Sequence, residues 1–240
     1  MASLDQKTAL VDKYCGAHRE WVQKSQTFKQ NYDSAMSDYA SANQRINSAQ
    51  YELNNLYEQM SSAEDEMRDI ESEFNSLNNG QEQSVSQYQN LRSRLENAQN
   101  AYNRAQNQVG TVQGRLQQAQ GEARQAYLIA QQENQKYEQA QANIEKLGQA
   151  LGQMNAQLVQ EADALQLQVS SENAYASTLQ GASGNMFASS ALAAAGRLQS
   201  SASTKQAELT GTQNLIDRIN QELNDGDSNP SRGAKVLRRW

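Results

Sequence analysis

Apolar residues recur along this chain in alternating steps of three and four. From Leu4 the series runs through Val11, Tyr14, Trp21, Phe28, Tyr32, Ala35, Tyr39, Ala42, Ile46, Ala49, Leu53, Leu56, Met60, Ala63, Met67, Ile70, Phe74 and Leu77, with Lys7, His18 and Ser25 as polar members of the same frame. A 3.5-residue repeat sustained this long predicts a left-handed coiled-coil seam, not a globular core. The frame continues past Asn78, Asn79 and Gly80 through Tyr88, Leu91, Leu95, Ala98, Tyr102, Ala105, Val109, Val112, Leu116, Ala119, Ala123, Ala126 and Ala130. After Glu133 it resumes at Tyr137, Ala140, Ile144, Leu147, Leu151, Met154, Leu158 and Leu165.

Two architectures fit this frame, one continuous rod or a hairpin. Asn and Gly tolerate the left-handed conformation that closes a helix, so "SLNNGQEQS" predicts a C-cap and a turn. Folding there sets residue i near residue 158 minus i, which puts Phe28 on Ala130, Tyr32 on Ala126, Tyr39 on Ala119, Ala42 on Leu116, Leu53 on Ala105 and Met60 on Ala98. Large then faces small in layer after layer, as interdigitation requires. Ser25 opposes Glu133 in this register, a polar layer able to specify alignment. Sliding the partner one heptad inward fits about as well, while sliding it outward stacks Ala35 on Ala130 and Tyr32 on Glu133 and fits worse.

The frame breaks at Gly181, Gly184 and Asn185. Beyond them the spacing returns in a new phase at Ala191, Ala195, Leu198, Ala202, Lys205, Leu209, Thr212, Ile216, Ile219 and Leu223. A third helix doubling back along the second would set Leu198, Leu209, Ile216 and Leu223 near Val169, Leu158, Leu151 and Ile144. The expected organisation is all-α, a long antiparallel coiled-coil hairpin with a shorter third helix and a flexible basic tail. Its parts are helix one at 1–77, a turn at 78–82, helix two at 83–180, a corner at 181–187, helix three at 188–224 and the tail at 225–240.

Composition agrees with long helix. Pro230 is the one proline, and it follows the last periodic segment. Gln and Asn make up about a quarter of the chain. The net charge of −6 and the absence of a basic stripe argue against general nucleic-acid binding. Lone Cys15 excludes an internal disulfide framework, and no apolar h-region follows Met1, so a reducing compartment is the default expectation.

Candidate chemistry is sparse. Cys15 and His18 form a C-x-x-H pair, which supplies two of the four ligands of a structural zinc site. Glu64, Asp65, Glu66, Asp69, Glu71 and Glu73 carry no E-x-x-H pattern of the di-iron kind and read as a solvated face. "DGDSN" opens like a calcium loop, but Pro230 stands where glycine is required and Val236 where the bidentate glutamate belongs. No catalytic residue, metal or other cofactor is expected, and no small-molecule substrate.

Contacts with protein are the better expectation. Gly110 with Gly114, and Gly148 with Gly152, are small pairs off the seam that would let a neighbouring subunit approach. The tail "SRGAKVLRRW" offers Arg232, Lys235, Leu237, Arg238, Arg239 and Trp240 as a docking peptide, rich in hot-spot residue types. Between Glu172 and Arg197 the chain carries no charge, yet about half of those positions are Ser, Asn, Gln, Thr or Gly, too polar for a span of about 20 apolar residues. A corner between helices is the preferred reading there, ahead of an interfacial or pore-lining segment.

The Gln/Asn/Ala-rich helix over residues 81 to 180, followed by "GASGNMFASSALAAAG" and a further helix, resembles the internal virion or ejection proteins of short-tailed bacteriophages. The likeness is one of composition and order and spans about half the chain. It implies a non-enzymatic protein packaged at the virion vertex, with nucleic acid only as a neighbour, that rearranges to help form a conduit for DNA. Two other classes stay open: a membrane-active translocator or pore former using residues 181–196, and a cytoplasmic coiled-coil adaptor whose tail recruits a partner.

Overall fold

A computed structural model of the chain describes residues 3–78, 85–181 and 188–227. Among them there are three helices and no strand: α1 (Leu4–Asn78), α2 (Val85–Gly181) and α3 (Ala188–Asp227). The fold is an antiparallel coiled-coil hairpin with a shorter third helix. Asn79, Gly80, Gly184, Asn185 and the tail from Arg232 to Trp240 lie outside the described residues.

Local chemistry sets the start of α1. Ser3 Oγ accepts from the Gln6 amide (3.3 Å) while Gln6 Oε1 accepts from the Ser3 amide (3.0 Å), a capping box that satisfies two donors of the first turn. No proline interrupts the helices that follow, so α1 runs for 75 residues and α2 for 97.

The helices contribute to two compact units, Lys29–Asn134 and Met1–Phe28 with Gln135–Trp240. In the first, α1 and α2 pair alone. Its buried apolar positions are Ala35, Ala42, Ala49, Leu53, Leu56, Ala63 and Ile70 on α1, facing Leu91, Ala98, Ala105, Val112, Ala119, Ala123, Ala126 and Ala130 on α2. Every one of them belongs to the 3.5-residue frame.

The register differs from the one expected. Arg45 pairs with Glu122 (2.6 Å), Glu52 with Arg115 (2.8 Å) and Glu73 with Arg94 (3.1 Å). These flanking pairs place residue i of α1 opposite about residue 165 minus i of α2, one heptad outward. Ala49, Leu53, Leu56 and Met60 accordingly share one cluster with Leu116, Val112, Val109 and Ala105. Tyr39 lies against Tyr127, ring centroids 5.7 Å apart, and not beside Ala119. The expected Ser25–Glu133 layer is absent: Gln141 Nε2 donates to Ser25 Oγ (2.6 Å) and Asn31 Nδ2 to Glu133 Oε2 (3.1 Å). A strict heptad repeat presents the same seam after a slide of seven, and in this register the flanking ion pairs and the polar contacts of Ser25 and Asn31 are satisfied.

In the other unit α1, α2 and α3 pack together around Val11, Cys15, Leu151, Leu158, Leu215 and Ile219. α3 runs antiparallel to α2: Lys205 pairs with Glu172, Asn155 Nδ2 donates to Asn220 Oδ1 (3.0 Å), and Leu223 lies over Gly148. This pairing too is about one heptad from expectation, since Leu209 packs with Ala162 and Leu165 instead of Leu158. α3 also lies parallel to the start of α1, where Leu4 sits over Gly211 so closely that a Cβ there would collide with it.

Candidate functional site

Among the described residues, buried titratable side chains come together where α1 meets α3. The 3-4 spacing brings Val11, Cys15 and His18 to the side of α1 that α3 covers, and Leu215, Ile219 and Glu222 to the facing side of α3. His18 Nδ1 lies 3.0 Å from Glu222 Oε1, with side chains only 4% and 8% exposed, so a neutral His18 carries its proton on Nδ1. Arg19 Nε donates to the other carboxylate oxygen at 2.5 Å, and Arg218 pairs with Asp12 one turn away.

This geometry sets the local electrostatics. Burial pushes the Cys15 thiol up from its ordinary value, and the Glu222 carboxylate pushes it further in the same direction. The hydrogen bond to Glu222 raises Arg19. A protonated thiol is a poor nucleophile, and His18 spends its Nδ1 on a carboxylate within the interface. The arrangement orients and satisfies buried polar groups at a helix contact. Among the described residues no group of three or more His, Cys, Asp or Glu side chains is placed to hold a metal ion.

Elsewhere the helices present surface. A shallow depression of about 310 Å³ lies between α1 and α2 over Ala49 and Ala119, where small seam residues leave a groove flanked by the Arg45–Glu122 and Glu52–Arg115 pairs. Several large apolar side chains point outward: Tyr51 is 70% exposed, Leu167 72% and Tyr175 66%, and Tyr127, Leu128 and Ile129 are exposed in succession. No helix among the described residues is long and apolar enough to cross a membrane.

The residues singled out in the sequence fall as follows. Leu53 is buried in the seam, and Phe28, Tyr32, Tyr39, Met60, Leu95, Tyr102 and Leu116 are half-buried along it. Asn78 ends α1 and Gly181 ends α2. Gly110, Gly114 and Gly152 face open space, whereas a Cβ at Gly148 would lie 3.9 Å from Leu223 of α3. Sequence reasoning placed His18 on the hairpin seam and left out Glu222 and Leu215. The available signal was a second stripe three and four residues apart on α3, Thr212, Leu215, Ile219 and Glu222, which ends in a charge and so reads as surface.

No family model, curated protein or solved structure matches the chain.

Proposed function

We propose that the chain is a non-enzymatic structural protein whose helical hairpin self-associates or docks into a larger assembly, with a bacteriophage virion or its ejection apparatus as the setting. The observation that carries this reading is the outward placement of Tyr51, Leu167 and Tyr175 on helices whose inner seam is largely alanine. A Tyr/Ala or Ala/Ala seam buries less apolar area than a Leu/Leu one, at roughly 25 cal/mol per Å². Exposed rings and Leu side chains are the remaining apolar area that neighbours could cover. The virion setting is supported by the compositional resemblance alone.

Sedimentation of the intact chain over a range of concentrations tests the assembly reading, and a monomer throughout would overturn it. Purified virions from the source that encodes the chain test the setting: the protein is expected inside the particle, protected from protease until the capsid is opened. Flotation with liposomes, abolished by Met186→Asp, Phe187→Asp and Leu192→Asp together, would replace this reading with the membrane-active one.

A further inference from the structure

The outer face of α2 within the unit Lys29–Asn134 carries a second 3-4 repeat, pointing away from α1. Asn100, Asn103, Asn107, Gly110, Gly114, Gln117 and Gly121 follow one another in steps of three and four, and all are exposed. None is ionisable. Of the charges beside it, Arg115 and Glu122 are turned toward α1, held by Glu52 and Arg45 at 2.8 and 2.6 Å, and exposed Arg104 flanks the stripe beside Asn100 and Asn107. The glycines have nothing within 4 Å of a would-be Cβ, so a second helix could approach the backbone closely.

Deepening the self-association reading, and resting on it, we infer that this face binds the same face of a second copy of the chain in an antiparallel, two-fold pair. Gly110 then opposes Gly114 of the second copy, Asn107 opposes its Gln117 and Asn103 its Gly121, while Arg104 opposes its Gln120, not a like charge. Amide side chains both donate and accept, so an Asn/Gln surface is complementary to itself. A charged partner would leave its own ions unpaired against it. For a chain of net charge −6, an uncharged stripe is where two copies meet without burying like charges.

The ends of the stripe fix its direction. The same 3-4 steps reach Glu96 before Asn100 and Arg124 after Gly121. Antiparallel pairing brings Arg124 of each copy within one helical turn of Glu96 of the other, whereas parallel pairing sets like charges together. Residues 100 to 121 span roughly 32 Å, and a face about 10 Å across gives on the order of 600–700 Å² buried in total. That is below the roughly 1,000 Å² of a stable interface, so the pair is weak and reversible and its specificity rests on the Glu96–Arg124 contacts.

Sedimentation equilibrium on the intact chain and on Gly110→Glu/Gly114→Glu decides the matter. Both sites are open helical positions, so the variant keeps its helicity by circular dichroism, and its dimer dissociation constant is expected to rise at least tenfold. Glu96→Arg alone should weaken the dimer as well, and adding Arg124→Glu should restore it. Wild-type association that the glycine variant leaves unchanged, or a charge swap that fails to restore it, overturns this face while sparing the self-association reading. A wild-type chain monomeric at every concentration removes both.

Discussion

Glu222 sits where α1 and α3 touch, accepting from His18 and Arg19 with its side chain almost wholly buried. Glu222→Ala removes the acceptor and leaves the buried His18 donor unpaired, a loss of about 1–3 kcal/mol. Denaturant unfolding should read that loss, and native-state alkylation of Cys15 should quicken because its thiol loses the neighbouring negative charge that helps hold it protonated. A second carboxylate governs acid stability. The hydrogen bond from Lys205 holds Glu172 below its ordinary value of 4.5. A depressed folded value means that the stabilisation is full above the unfolded carboxylate range and is lost as pH falls through the folded one. Lys205→Met should raise the Glu172 midpoint, as read by carboxyl NMR titration, and diminish that acid-side component. Neither carboxylate stood out in the sequence: Glu172 and Glu222 each occur in helical polar runs, and only the partner helix distinguishes them from solvated glutamates.

At the scale of elements, the helices and their seam were legible because period is a local property of sequence. Ala35, Ala42, Ala49, Ala105, Ala119 and Ala130 could be placed inside without knowing their partners. Pairing was not legible to the same degree: a strict heptad repeat looks the same after sliding by seven, and matching large layers to small ones counted against the outward register that the helices adopt. What separates those registers is polar contact, such as Asn31 with Glu133, Gln141 with Ser25 and Arg45 with Glu122. In a Cys15→Ser background, cysteines at Tyr39 and Ala126 should therefore form an intramolecular disulfide under mild oxidation, and cysteines at Tyr39 and Ala119 should not. The converse result would restore the register expected from the sequence. The second face of α1 stayed hidden for a different reason: Cys15 and His18 are weakly apolar, and a search for one seam assigns them to it or to solvent.

For the whole molecule, the two units draw on the same two long helices but hold them differently, one by a single seam and the other with the addition of α3. The candidate polar cluster belongs to the three-helix unit and the open glycine face to the two-helix one, so substitutions at either can be read apart from the other. The antiparallel pairing also ranks contacts by their distance along the chain. Glu73 and Arg94 are 21 residues apart, Arg115 and Glu52 are 63, Lys7 and Glu161 are 154, and His18 and Glu222 are 204. Loop closure is cheapest for the nearest pair, so closure is expected to begin at Glu73 and Arg94 and to reach Lys7 and Glu161 late. Val11 and Cys15 then gain Leu151 and Leu158 of α2 first, and their side toward Leu215 and Ile219 stays bare until α3 is made.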